Sequence, residues 1–68
     1  MGNALYLEKI IKESGLKKQY LADKCGMTRQ SFTSKCKEPS SFTAANVAIL
    51  CKELNITSLK KRDEIFFA

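Results

Sequence analysis

Apolar residues near the start of the chain recur with the spacing of a helix. Leu7, Ile10 and Ile11 stand at i, i+3 and i+4, which places their side chains on one helical face. Gly15 follows them, and a glycine at this point is typical of a helix that ends in the left-handed conformation. The pattern predicts a first helix over about Ala4–Ser14.

A short second helix and a tight joint are predicted next. Leu21 and Cys25 share one helical face, and Gly26 can supply the left-handed conformation that stops the helix abruptly. We therefore expect this helix over about Lys18–Cys25, with the joint immediately after it.

The helix that follows the joint has a signal at each end. Thr28 offers its hydroxyl as an N-cap, and Phe32 and Cys36 form an apolar pair at i and i+4. Pro39 then prevents the helix from continuing. The sequence predicts a third helix over about Arg29–Lys37.

A polar loop, Glu38–Ser41, leads to a fourth helix. Thr43 is a good N-cap, and Phe42 before it and Val47 four residues after it are placed for a hydrophobic staple. An amphipathic stripe follows and ends at Asn55, which tolerates a left-handed turn. The apolar members of this stripe are Val47, Leu50, Cys51 and Leu54.

A last short helix and an apolar tail are predicted after Asn55. Thr57 or Ser58 can cap a helix over Leu59–Glu64, and Ile65-Phe66-Phe67 then forms a strongly apolar tail. Because a chain of 68 residues is too short to support two cores, we expect one compact, all-α, five-helix domain over residues 1–68.

The cysteines do not form a metal-binding pattern. Cys25, Cys36 and Cys51 stand 11 and 15 residues apart and the chain has no histidine, so it lacks a C-x-x-C pair and a four-ligand zinc set. Each falls where a helix accepts a small apolar side chain, which favours buried structural thiols in a reducing compartment. The acidic residues are scattered, so we expect no enzyme activity, no metal or other cofactor, and no small-molecule ligand.

The net charge of +5 is concentrated in the middle of the chain. Between Lys17 and Lys37 lie six basic residues and one acidic residue, Asp23, whereas the other residues carry six charges of each sign. A concentrated basic surface is typical of a protein that binds a polyanion. An ordinary solvated lysine face would give the same count, so charge alone leaves both interpretations open.

The two short helices on either side of the joint divide their residues in a way that suits a nucleic-acid reader. Gly26 in the joint and the small Ala22 before it allow the helices to cross closely. The third helix points Phe32 and Cys36 inward. Its outward side chains are all polar and none is acidic: Arg29, Gln30, Thr33, Ser34 and Lys37.

The stretch from Leu21 to Phe32 resembles the helix-turn-helix of the lambda-repressor-like family, which includes Cro-like phage regulators. Ala22 matches the small residue of the family's first motif helix, Gly26 matches its turn glycine, and Phe32 matches the apolar residue that packs the second motif helix. The other predicted helices resemble the family's five-helix domain over nearly the whole chain. Lys17 and Lys35 depart from the pattern, because relatives often have a Thr cap and an aliphatic residue there.

The resemblance implies a sequence-specific duplex DNA-binding protein, a phage-type transcriptional repressor or a Cro-like regulator. Its third helix would enter the major groove, with Arg29, Gln30, Ser34 and Thr33 as the expected readers of base edges. Phosphate contacts would come from the starts of the second and third helices and from the loop before the fourth. The residues expected to bind phosphate are Lys18, Gln19, Thr28, Lys35, Lys37, Ser40 and Ser41. Tyr20 has two interpretations: its hydroxyl contacts the DNA backbone, or its ring packs partly buried against the protein.

The expected partners are a double-stranded DNA operator and a second copy of the chain. One such domain reads few bases, so we expect a two-fold homodimer that contacts through Ile65, Phe66 and Phe67. The sequence leaves open a second interpretation, in which these side chains fold back onto their own core, or one phenylalanine covers the core while the other meets the partner. The alternative is a protein-interaction regulator, such as an antirepressor or antitoxin, that uses the same fold to bind another regulator. No apolar stretch approaches the roughly 18 residues of a membrane span, so a cytoplasmic location without a membrane partner is expected.

Overall fold

The structure is a computed structural model that describes residues 2–67. These residues form five α-helices and no β-strand, which confirms the expected all-helical class. No helix in this part of the chain is long and apolar enough to cross a membrane. The elements are α1 (Ala4–Ser14), α2 (Lys18–Lys24), α3 (Arg29–Lys37), a 3₁₀ turn (Pro39–Ser41), α4 (Ala44–Glu53) and α5 (Leu59–Phe66).

Side-chain caps begin four of the helices, and they explain why the predicted starts were accurate. Thr28 Oγ1 accepts the amide of Ser31 at 3.1 Å, and Thr43 Oγ1 accepts the amide of Asn46 at the same distance. Ser58, rather than Thr57, caps α5. Such a cap stabilises a helix by about 1 kcal/mol. α2 lacks one, because Lys17 occupies its N-cap position and makes no capping bond.

The joint between α2 and α3 is built around a left-handed glycine. Gly26 has φ 71°. Its amide donates to Asp23 O at 3.1 Å, and the amide of Met27 donates to Ala22 O at 3.0 Å. These two bonds form a Schellman motif, which satisfies the last carbonyls of α2 while the chain reverses into α3.

The core is formed by apolar residues from all five helices and by a row of three phenylalanines. Phe32 and Phe66 are fully buried and Phe42 is nearly so. The ring centroids of Phe32 and Phe42 are 5.6 Å apart, and those of Phe42 and Phe66 are 6.0 Å apart with an edge-to-face arrangement. Each such pair adds about 0.5–1.5 kcal/mol beyond the area it buries. This row joins α3 to α5 through Phe42, which lies between the 3₁₀ turn and the N-cap of α4.

Two segments differ from the sequence-based expectation. The residues before Phe42 form a 3₁₀ turn rather than a plain loop, with buried Pro39 as its first residue. The apolar tail predicted after Glu64 is wrong, because α5 continues to Phe66 and both Ile65 and Phe66 are fully buried. In a helix, neighbouring side chains are separated by a turn of about 100°, so two adjacent apolar residues can both meet a surrounding core.

The beginning of the described chain lies against its end. The amide of Asn3 donates to Ile65 O at 2.7 Å. Gly2 is held so closely that a Cβ there would lie 2.6 Å from both Ile65 O and Pro39 Cβ, a distance that real Cβ atoms essentially never show. Position 2 therefore requires glycine. The contact joins the N-terminal segment, the 3₁₀ turn and α5 at one place.

Candidate nucleic-acid interface

The third helix has a buried inner face and a polar outer face. Phe32 is 0% exposed and Cys36 is 1% exposed, as the sequence pattern predicted. Ala22 of α2 is also fully buried, and the small side chain allows close contact between the two helices. With these residues turned inward, five of the remaining side chains of α3 are exposed, and Thr33 and Lys35 are half-buried.

The expected base readers lie on this outer face. Arg29, Gln30 and Ser34 are exposed, and Thr33 is half-buried. A shallow hollow brings Gln30 and Ser34 together with two expected phosphate ligands, and its lining consists of Thr28, Gln30, Ser31, Ser34 and Lys35.

A second hollow lies on the other side of the start of α3. It brings Arg29 together with Gln19 of α2, and it also contains Asp23. The Gln19 side chain donates from Nε2 to Asp23 Oδ1 at 2.8 Å. Asp23 is the one acidic residue of the basic segment, and its negative charge would repel a phosphate at this hollow. Its carboxylate also accepts the hydrogen bond of Gln19, a side chain that was expected to bind phosphate.

Two of the lysines assigned to phosphate already have partners within the protein. Lys18 Nζ lies 3.0 Å from Glu8 Oε1, and the two side chains are 28% and 44% exposed. Lys35 Nζ donates to Ser41 O at 3.1 Å and so connects α3 to the 3₁₀ turn. A partly exposed ion pair such as the first contributes at most about 1 kcal/mol. Locally, Glu8 neutralises the charge of Lys18, which the sequence alone counts as available for binding phosphate.

The two serines of the 3₁₀ turn are also bonded. Ser40 Oγ donates to Glu38 Oε1 at 3.2 Å, and Ser41 Oγ donates to Glu38 O at 2.6 Å. Both serines are exposed, so their hydroxyls can still accept, but the bonds direct both hydroxyl protons toward Glu38. The Glu38 carboxylate beside Ser40 is a negative charge that the sequence-based assignment of a phosphate site at this loop did not include.

Three basic side chains of the segment from Lys17 to Lys37 have no intramolecular partner among the described residues. Lys17, Arg29 and Lys37 are exposed, and within residues 2–67 their side chains make no hydrogen bond or ion pair. Lys24 differs from them, because its Nζ lies 5.4 Å from the centroid of the Tyr20 ring. Tyr20 itself donates from its hydroxyl to Glu53 Oε1 on α4 at 2.7 Å. The hydroxyl therefore bonds to another side chain of the protein, and the ring is 40% exposed rather than packed in the core.

The residues expected to form a dimer contact are separated by the fold. Ile65 and Phe66 are fully buried in the core of their own chain, so they cannot meet a partner without unfolding α5. Phe67 is 53% exposed, and the Arg62 guanidinium lies 5.6 Å from its ring centroid. Of the three residues expected at the dimer contact, Phe67 is the one whose side chain is accessible to a partner.

The cysteines are free thiols with different degrees of burial. Cys36 is buried, whereas Cys25 and Cys51 are only half-buried, so the expectation of three buried thiols holds for one of them. Burial raises the pKa of the Cys36 thiol to about 12 and raises the pKa of each of the other two. All three are therefore poor nucleophiles, since the thiolate is the reactive form.

Sequence reasoning missed the acidic residues that modify the interface. Glu8 and Glu38 lie outside or at the edge of the basic segment in sequence, yet each lies next to a residue assigned to phosphate. Nothing in the spacing of Glu8 and Lys18 indicates their contact, because they belong to different helices.

Comparison of this chain with protein-family models, with curated proteins and with solved structures finds no match.

Proposed function

We propose that this chain is a sequence-specific duplex DNA-binding protein with the lambda-repressor-like helix-turn-helix arrangement, acting as a transcriptional repressor or a Cro-like regulator. The observation that carries the proposal is the division of α3 into a fully buried inner face and an exposed outer face that is polar and contains no acidic residue. A helix that enters the major groove needs such a face.

The joint before α3 supports the same arrangement. The left-handed Gly26 and the two Schellman bonds hold α2 and α3 at a fixed crossing, and a rigid crossing presents the N-terminal half of α3 to a ligand. Arg29 and Gln30 are the first two residues of α3. Arginine recognises guanine O6 and N7 in a bidentate contact, and glutamine recognises adenine N6 and N7 in the same way.

The charge of the surface supports binding to phosphate. Lys17 and Lys37 are exposed at the start of the motif and at the end of α3, on either side of the reader residues in sequence. Together they provide about two phosphate contacts that no intramolecular partner occupies, which corresponds to a fall in log affinity with log salt of about 1.8 per subunit.

Specificity would come from a two-fold dimer. A single α3 reads too few bases for an operator, whereas two copies related by symmetry read half-sites about 34 Å apart. Phe67 is the exposed apolar residue at the end of α5 and the expected contact. A dimer of this kind would respond to protein concentration through mass action.

The experiment that tests the function is selection of bound duplexes from a random-sequence DNA pool by the purified chain. We expect recovery of an inverted repeat whose half-site centres are one helical turn, or a multiple of it, apart. Recovery of no enriched sequence, together with affinity for duplex DNA that does not change with salt, would contradict the proposal. In that case the protein-interaction regulator becomes the better assignment.

A further inference from the structure

Two adjacent lysines at the start of α2 have different surroundings. Lys18 Nζ is 3.0 Å from the Glu8 carboxylate of α1, and more than half of the surface of each side chain is covered. Lys17 is exposed and makes neither an ion pair nor a capping bond within residues 2–67. Two residues that look equivalent in the sequence therefore differ in the charge that they present to a ligand.

We propose that Lys17, rather than Lys18, makes the phosphate contact at the start of α2, and that Glu8 determines this choice by neutralising Lys18. The inference rests on the proposed DNA-binding function and deepens it. It assigns to Lys17 the phosphate contact that was expected of Lys18, and it gives Glu8 of α1 a part in the proposed interface.

The physical reason is the field around the Lys18–Glu8 pair. A phosphate that approaches Lys18 also approaches the Glu8 carboxylate, and the Coulomb energy falls only as the first power of distance. With the two opposite charges 3.0 Å apart, attraction by one and repulsion by the other largely cancel at the phosphate. Lys17 has no such neighbour among the described residues, so its full charge is available for counterion release.

The salt dependence of DNA binding measures this difference directly. Each phosphate neutralised adds about 0.9 to the slope of log affinity against log salt, which is about 3.5-fold in affinity between about 50 and 200 mM salt. A labelled mixed-sequence DNA duplex would be titrated with the full chain over this range by fluorescence anisotropy. Circular dichroism melting would first establish that each variant is folded.

Three variants separate the two lysines. Lys17→Gln should lower the slope by about 0.9. Glu8→Gln should raise it by about 0.9, because it releases the charge of Lys18. The double variant Glu8→Gln with Lys18→Gln removes the ion pair without changing the net charge and should keep the wild-type slope. Lys52→Gln is the matched control. Lys52 is exposed in the last turn of α4, outside the basic segment, so removal of its charge should leave the slope unchanged.

The inference is overturned if Lys17→Gln keeps the wild-type slope, or if the double variant loses about 0.9. The second result would mean that Lys18 binds phosphate despite Glu8. A failure of the proposed function looks different, because the wild-type chain itself would then show no salt-dependent affinity for the duplex.

Discussion

The hydroxyl of Tyr20 on α2 donates a hydrogen bond to Oε1 of Glu53 on α4, with 2.7 Å between the oxygens. The two residues are 33 positions apart in the sequence, and the bond connects α2 to α4. The pKa of Tyr20 is raised above its ordinary value of 10.0. The largest cause is the hydrogen bond to Glu53, and desolvation of the phenol and the negative charge of Glu53 act in the same direction. Ionisation of Tyr20 would place a phenolate against a carboxylate.

The raised pKa predicts how this bond depends on pH. Because the folded state holds the phenol proton more tightly than the unfolded state does, the bond stabilises the fold fully below pH 10.0 and is lost as pH rises through the folded-state pKa. In a Tyr6→Phe background, which leaves Tyr20 as the single tyrosine, ultraviolet titration should give a midpoint above 10.0. Glu53→Gln should lower that midpoint, whereas Glu64→Gln on α5 should not change it. An unchanged midpoint in Glu53→Gln would contradict the bond.

Gly26 should tolerate a side chain sterically but not conformationally. A Cβ at this position meets no atom within 4 Å, yet its φ of 71° lies in the left-handed region. Gly26→Ala should therefore destabilise the fold by about 1–2 kcal/mol, and Gly26→Asn should cost less because asparagine adopts this conformation more readily. Urea denaturation provides the measurement. Gly15→Ala, with φ 75° and an equally open site, is the matched comparison and should show a similar loss.

Phe66 and Phe67 should separate stability from self-association. Phe66→Ala removes a fully buried ring and should cost about 3–5 kcal/mol, so Phe66→Leu is the milder variant that keeps the chain folded. Phe67→Ala should change stability by about 0.5 kcal/mol or less, because the ring is 53% exposed, but should weaken dimerisation. Thermal melting and sedimentation velocity measure the two effects. Leu59→Ala serves as an exposed apolar control on α5, and equal self-association in Phe67→Ala and the wild type would exclude Phe67 as the contact.

Arg29 and Gln30 should determine which bases are preferred. Each alanine substitution should cost about 1–3 kcal/mol on the selected operator and relax the preference at one base position, because a bidentate contact to one base edge is lost. Lys37→Ala should instead weaken binding to all sequences alike. Repeating the selection with each variant gives the comparison. Unchanged base preferences in both Arg29→Ala and Gln30→Ala would mean that another part of the chain reads the DNA.

Local signals explain why the helices could be predicted from the sequence. Thr28, Thr43 and Gly26 act on atoms within three or four residues of themselves, so the starts of α3 and α4 and the end of α2 depend on nearby sequence. The inward position of Phe32 follows from its spacing to Cys36 in the same way. α1 and α3 begin and end at the predicted residues.

The partners of the charged side chains could not be predicted in the same way. The contact of Lys18 with Glu8 depends on how two helices lie against each other, and the contact of Lys35 with Ser41 depends on the unexpected 3₁₀ turn. The C-terminal part of α5 depends on more distant residues still. Phe66 is buried because Phe42 lies beside it, a relationship that the residues around Phe66 do not encode.

The close contact of Gly2 and Asn3 with Ile65 joins the two ends of the described chain. Asn3 and Ile65 lie on either side of α2, α3 and α4 in the sequence, and Ile65 and Phe66 belong to the core that also contains residues of α1 and α3. During synthesis, α2 and α3 are therefore made before Ile65 and Phe66, which complete the core. Proteolytic removal of residues 2–3 or 65–66 should unfold α3 rather than merely shorten the protein. Under the proposed function, in which DNA occupancy follows the concentration of the folded chain, such cleavage at either end would abolish binding.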